Sequence, residues 1–335
     1  MNAMQGRTAI ACFGEALIDF LALPAAPGQP RLFAEYAGGA PANVAAAVAR
    51  LGGNARFVGM LGVDMFGEFL MSQLREMGVD TRFCVHTSAA RTALAFVSLD
   101  EDGERSFSFY RPPAADLLFR EDHFETACFD DAAVLHVCSN SLTEADIAAT
   151  TLAGMRLARS AGALVSMDLN LRPSLWPEGF DPAPRLWDAL AEADLVKLCR
   201  SEADFLIRRS GDEKAMLRRL WQGHARCVLV TDGGKPVRWY TRSADGVAPT
   251  FAVTVTDTTA AGDAFVGGLL HRLVERGAGV DRLVDLLDDR VALTDALRHA
   301  AAAGALATTR NGAFAAMPSR AELEQLLRPD PATTP

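Results

Sequence analysis

Short β-rich runs alternate with amphipathic stretches along most of the chain, and this alternation restricts the fold more than any other feature. Strand-like runs at residues 8–14, 56–61, 133–138, 163–168, 194–198 and 227–231 are separated by helical periodicity at 42–51, 65–77, 144–160, 201–209 and 214–222. Strand, helix, strand repeated in this way predicts an α/β fold, with a central, mainly parallel sheet flanked by helices on both faces. Glycines stand where the first helices should stop, at Gly52, Gly53 and Gly78. Half of the 335 residues are apolar, enough for one large core with a small appendage.

Two regions break the rhythm. Residues 18–36 and 91–111 hold strand-like segments and turn residues with no helix between them. In the second, residues 92–99, the turn Asp100-Glu101-Asp102-Gly103 and residues 105–110 make a hairpin signature. Pairing of these pieces predicts a small β-sheet projecting from the core as a lid over a ligand. The expected division is a core of residues 1–17, 37–88 and 118–335, with a lid of 18–36 and 89–117. Pro-rich segments at 24–30 and 177–184 read as surface loops, and the tail after Arg328 as frayed.

Composition excludes several classes of function. Acidic residues outnumber basic ones, 42 against 33, for a net charge of −9, and no basic stripe offsets this, so nucleic acid is not an expected partner. No stretch of about twenty residues is free of polar side chains, and no apolar leader opens the chain, so no membrane association is expected. The six cysteines, at 12, 84, 128, 138, 199 and 227, form no C-x-x-C pair and read as buried free thiols of a cytoplasmic protein. The histidines show no metal spacing, and no Ser-His-Asp elbow occurs. The absence of G-x-x-x-x-G-K-[ST] rules out a P-loop, and the absence of G-x-G-x-x-G after the first strand argues against a dinucleotide dehydrogenase.

The run Asp257-Thr258-Thr259-Ala260-Ala261-Gly262-Asp263 follows an expected strand at 250–256 and opens an expected helix. Small residues there let the backbone approach a ligand, and the free N–H groups of a helix's first turn attract anions such as phosphate. Asp263 falls in that turn, where a carboxylate suits either a base facing the bound group or a residue that complements the helix dipole. Gly38-Gly39-Ala40-Pro41-Ala42-Asn43 joins a strand to an Ala-rich helix. It reads either as a ligand-hugging turn with Asn43 as donor and acceptor, or as a plain Gly-Gly turn before a helix-starting Pro.

Together these motifs resemble the two signatures of the PfkB (ribokinase-like) carbohydrate kinase family, in the right order and far apart. Asp257–Asp263 is similar to the family's Asp-Thr-x-Gly-Ala-Gly-Asp, with Ala260 where a Gly is usual, and Gly38, Gly39 and Asn43 match its Gly-Gly-x-x-x-Asn. Residues 37–51 and 91–118, and Asp168-Leu169-Asn170-Leu171-Arg172-Pro173 followed by Leu175-Trp176, resemble the fructokinase branch. The resemblance implies ATP-dependent phosphorylation of a sugar hydroxyl, fructose first. Another sugar such as 2-keto-3-deoxygluconate or ribose, or an inactive sugar sensor, is the alternative. It makes Asp263 the catalytic base beside an anion hole of Ala260, Ala261 and Gly262. It places Asp19, Gly38, Gly39, Asn43, Arg111, Asn170 and Arg172 around the sugar or the transferred phosphoryl group. Lys197, Glu202, Thr231, Gly233 and Gly234 fall on the nucleotide side, with Cys199 and Ala301 where relatives carry Asn. Magnesium is expected on electrostatic grounds, since a polyanionic nucleotide must bind an acidic protein, and the resemblance sets Glu202 near it through water. Potassium beside the anion hole is implied at Asp257, Thr259, Ala307, Arg310 and Gly312. A homodimer formed through the lid is expected.

Overall fold

The computed structural model describes residues 6–23, 28–99 and 105–328. The expected turn at 100–103, part of the Pro-rich segment at 24–30 and the tail after Arg328 lie outside the described residues. In chain order, β1 (Ala9–Phe13), β2 (Leu17–Ala22) and β3 (Phe33–Gly38) precede α1 (Ala40–Arg50), β4 (Asn54–Gly62), α2 (Met65–Glu76) and β5 (Cys84–Thr87). Next come β6 (Leu94–Leu99), β7 (Arg105–Tyr110), β8 (Ala132–Cys138), α3 (Ala145–Ser160), β9 (Leu164–Asp168) and α4 (Ala183–Glu192). They are followed by β10 (Leu195–Cys199), α5 (Arg200–Ser210), α6 (Glu213–Gln222), β11 (Cys227–Asp232), β12 (Lys235–Thr241) and β13 (Asp245–Ala248). The last helices are α7 (Ala261–Glu275), α8 (Leu283–Asp288), α9 (Arg290–Ala307) and α10 (Arg320–Leu327).

Nine strands form the main sheet in the order β13-β12-β11-β10-β9-β8-β1-β4-β5. Strands β11 through β5 run parallel, and β12 and β13 turn back antiparallel at one edge. Alternation along each strand decides which core a side chain joins. In β1, Ile10 and Cys12 enter the apolar layer under α1, α7 and α9, while Ala11 and Phe13 enter the layer under α3 to α6. A strand buried on both faces is mostly apolar: β1 is so throughout, and β8 and β9 admit only His136, Ser166 and Asp168. Helix α1 is alanine-rich because it lies between the sheet and α7. A Cβ on Gly267 of α7 would meet Ala47 Cβ at 2.5 Å.

Sequence order in the sheet reverses between β1 and β8, and in open α/β sheets ligands bind at the carboxyl ends of strands beside such a reversal. Beside it lies a four-stranded sheet in the order β3-β2-β6-β7, built from the two segments that carry no helical periodicity. Strand β2 pairs antiparallel with β3 and parallel with β6, and β6 pairs antiparallel with β7. Phe20 of β2 packs edge-on against Phe66 of α2 with centroids 5.7 Å apart, which ties this sheet to the core.

One expected element is corrected. Residues 250–256 form no strand. The N–H groups of Thr256 and Asp257 donate to the Thr308 carbonyl at 2.7 and 3.1 Å instead of to a neighbouring strand. Among the described residues, no helix is long and apolar enough to cross a membrane. The six cysteines are free thiols, and Cys12, Cys128, Cys138 and Cys227 are buried.

Candidate active site

Polar residues leave the carboxyl ends of successive parallel strands and converge. Glu15 follows β1, Asn140 follows β8, Asp168 ends β9 with Asn170 and Arg172 just beyond, Lys197 lies near the end of β10, and Thr231 near that of β11. Two cavities open over these ends. The first, of about 630 Å³, is lined by Glu15, Asp19, Gly39, Asn43, Phe109, Asn140, Asn170, Arg172 and Asp263, among others. The second, of about 610 Å³, is lined by Lys197, Cys199, Thr231, Gly233, Gly234, Phe251, Val253, Ala261, Gly262, Ala301 and Gly304, among others. Thr258 lines both, so the wall between the cavities is the loop that leads into α7.

That loop ends at Ala260, which caps α7 in a left-handed conformation, φ 56° and ψ 11°. The position demands the angles a glycine adopts without strain, and here it holds a Cβ. The following N–H groups open a fifteen-residue helix whose dipole favours negative charge at this end. Asp263 is its third residue and faces the first cavity, while Ala261 and Gly262 border the second.

Asn43 donates from Nδ2 to Asp263 Oδ2 at 2.8 Å, across 220 residues of chain. Its own Oδ1 is buried and has no partner among the described residues. Burial pushes the Asp263 carboxyl up to about 7, against the pull of the Asn43 hydrogen bond. The charge of Asp168 raises it further, while Lys197 and Arg172 draw it down. Beneath the loop, Lys197 Nζ donates to Asp168 Oδ2 at 2.9 Å. Burial opposes the Lys197 charge, but Asp168 and Glu202 outweigh it and hold the ammonium protonated.

Tight contacts explain the paired glycines. A Cβ on Gly38 would overlap the Asp19 carboxylate, and one on Gly39 would stand 2.5 Å from the Glu15 carbonyl oxygen at a φ of 105°. Glu15 is 1% exposed, and its Oε1 accepts from Ala40 N at 3.1 Å and Asn140 Nδ2 at 2.9 Å. It therefore fixes the start of α1 against the end of β8.

The remaining expected residues fall in several places. Asp19, Asn170 and Arg172 line the first cavity, and Asn170 holds a left-handed φ of 41°. Arg111 does not line it. The side chain is 1% exposed, with Nε 2.9 Å and Nη2 2.5 Å from Asp116 Oδ2, and Nη1 2.6 Å from the Asn140 carbonyl. It stands behind the cavity wall, bonded to the backbone of Asn140, which lines the cavity. Lys197, Thr231, Gly233 and Gly234 line the second cavity, but Glu202 does not. Its oxygens accept from Leu171 N at 2.8 Å and Cys199 N at 2.6 Å, and burial, then Asp168, raises its pKa. Asp257 accepts from Thr259 N at 2.6 Å and Gly312 N at 3.1 Å, which joins the segment holding 257 and 259 to the one holding 307, 310 and 312. Arg310 pairs with Glu322 at 2.9 Å. Sequence reasoning missed Glu15, Phe109 and Asn140 as cavity walls. The signal available for Glu15 and Asn140 was a polar residue directly after a buried strand.

Two adjoining cavities with a carboxylate and a helix start in the wall between them define an enzyme that moves a group from one small molecule to another. The pfkB family carbohydrate kinase model matches residues 7–320, and the chain belongs to that family. It is 56% identical to a fructokinase of Xylella fastidiosa solved with bound ATP, with a TM-score of 0.92 over 96% of this chain and 98% of that one. A Vibrio cholerae fructokinase solved with fructose, ADP and calcium ion superposes with a TM-score of 0.83 at 33% identity, covering 96% of this chain and 99% of the other. Fructokinase-1 of Zea mays is 42% identical over 324 residues, 96% of this chain and 98% of its own length.

Proposed function

We propose that this chain is an ATP-dependent fructokinase, with the sugar in the first cavity and ATP in the second. The likeness to fructokinases across nearly the whole chain supports the substrates. One observation carries the chemistry: Asp263, tied to Asn43, faces the first cavity, while Ala261 and Gly262 beside it border the second. The first cavity is rich in acceptors from Glu15, Asp19, Asn43, Asn140 and Asp263, with the single cation Arg172. Such walls suit a neutral polyol. They disfavour the carboxylate of 2-keto-3-deoxygluconate, which would face several negative charges.

In this reading Asp263 accepts the proton of the sugar hydroxyl as its oxygen bonds to the γ-phosphorus. The bond to the ADP oxygen breaks, and ADP leaves with that electron pair. The amides of Ala260, Ala261 and Gly262 stabilise the charge that gathers on the equatorial oxygens. The second sheet, β3-β2-β6-β7, acts as a lid that places Asp19 and Phe109 over the sugar and excludes water.

Among the described residues, no three His, Cys, Asp or Glu side chains form a metal cage. Magnesium that keeps its waters and rides on nucleotide phosphates needs only one or two protein carboxylates. In this reading Glu202, which stands behind the second cavity with its oxygens on the N–H groups of Leu171 and Cys199, would act on the ion only through intervening water, and the ion would neutralise phosphate charge. The joined segments around Asp257 and Gly312 fit potassium held by the backbone carbonyls of Asp257, Thr259, Ala307, Arg310 and Gly312. A cytoplasmic setting accords with the free thiols.

Coupled detection of ADP across a panel of sugars at equal concentration, with and without magnesium and potassium, tests the reading. Fructose is expected to give the highest kcat/KM, magnesium to be essential, and potassium to accelerate the reaction relative to sodium. A higher kcat/KM for ribose or 2-keto-3-deoxygluconate would overturn the fructose assignment, and no ADP with any sugar would leave a sensor.

A further inference from the structure

Asp168 and Lys197 form an ion pair beneath the loop that leads into α7, with Lys197 on the wall of the second cavity. Asp168 is 2% exposed and its Oδ1 has no partner among the described residues. The pair lies against the residue before the base. A Cβ on Gly262 would stand 3.0 Å from Lys197 Nζ and 3.9 Å from Asp168 Oδ2. Pairs buried this deeply give up much of their attraction in lost hydration, and apolar residues of equal volume often stabilise as well or better. Stability alone therefore does not account for a charged pair under this peptide.

The groups around Asp263 can be named from every element packed against it. Asn43 of α1 donates a hydrogen bond, and Arg172 approaches from the loop after β9. Asp168 of β9 and Lys197 of β10 act from below, and the nearby Cys138 thiol of β8 is kept neutral by burial. Lys197 in turn faces Asp168, Glu202 and Asp263. His136 of β8, near the pair, is also held neutral by burial. The ammonium that would most weaken Asp263 as a base is thus bonded to Asp168.

We propose that Asp168 is a positioning residue for the base: it holds the Lys197 ammonium to itself beneath Gly262 and adds its own negative charge on that side of Asp263. The inference rests on the reading of Asp263 as the base. A stronger base takes a larger share of the hydroxyl proton in the transition state, which is the use of such a device.

Asp168→Asn tests this, because it keeps the size and an amide oxygen for Lys197 while removing the charge. The acid limb of kcat/KM for fructose is expected to move to lower pH by about one unit, the scale of a unit charge several ångströms away in a partly screened interior. The plateau should fall about tenfold as the base weakens. A purely structural residue would lower the plateau and leave the limb in place. The carboxyl titration of Asp263, followed by carbon-13 NMR in the ligand-free protein and assigned by its loss in Asp263→Asn, gives a readout independent of turnover. Asp168→Ala serves as a second variant, and both should move that titration downward. An Asp263 titration unmoved in both variants overturns the proposal. A moved titration in a wild-type protein that phosphorylates no sugar upholds the electrostatic link and sinks the kinase reading instead.

Discussion

At the scale of single residues, the site turns on a carboxylate that burial has made reluctant to ionise. Asp263 is 8% exposed and titrates at about 7. A general base works only when ionised, so kcat/KM for the sugar should rise tenfold per pH unit below about 7 and level off above it. Asp263→Asn should lower kcat on the order of a thousandfold, and turnover within about threefold of wild type would refute the role. The same shift has a stability consequence. The folded-state value lies above the ordinary one of about 4, so folding favours the neutral form. No cost is incurred below pH 4; the cost grows between pH 4 and 7 and is constant above. Asp263→Asn should therefore exceed the wild type in stability by up to ~4 kcal/mol at pH 8. Urea midpoints at pH 8 and pH 4 would show the gap, and its absence at pH 8 would mean that the carboxyl is not shifted. Asp263 and Asn43 were legible in the sequence because residue type and spacing alone mark them. Glu15 and Asn140 were not, since their role exists only once β1 and β8 are neighbours. The inward turn of the Arg111 guanidinium to Asp116 was not legible either, because Asp116 becomes its partner only in the folded chain.

Elements tell a similar story of local and non-local information. The alternation of strand and helix was legible because inner strands such as β1 and β9 are buried on both faces, while helices such as α2 and α6 bury one. Residues 250–256 have strand composition but pair with no neighbouring strand, and composition cannot register a missing neighbour. Arg111 shows what such tertiary placement is worth. It follows β7 directly and joins the second sheet to the turn after β8 through Asp116 and the Asn140 carbonyl. Removing one member of a buried pair strands the other, at a cost of about 3–5 kcal/mol. Arg111→Met should lower the denaturation midpoint accordingly, and a loss below ~1 kcal/mol would show that Asp116 is readily neutralised or rehydrated.

For the whole molecule, the second sheet leaves an aromatic row unsatisfied. Phe20 stacks on Phe96, and Phe33 and Tyr110 meet Phe96 edge-on, with centroids 5.1 to 5.4 Å apart, yet Tyr110 is 67% exposed and Phe33 37%. Large exposed apolar surface marks a contact site, and a second copy of the sheet would cover this one symmetrically. Sedimentation equilibrium is expected to give twice the 35.8 kDa chain mass, and Tyr110→Asp to shift the protein toward the monomer. A wild-type monomer at high concentration would refute the dimer. The partition between the cavities has a stereochemical consequence. In the proposed arrangement donor and acceptor face each other across a loop, and Thr258 lines both cavities. If the sugar attacks the nucleotide directly, a γ-phosphorus made chiral with oxygen isotopes must emerge with its handedness inverted. A relay through the threonine would require two displacements and return it unchanged.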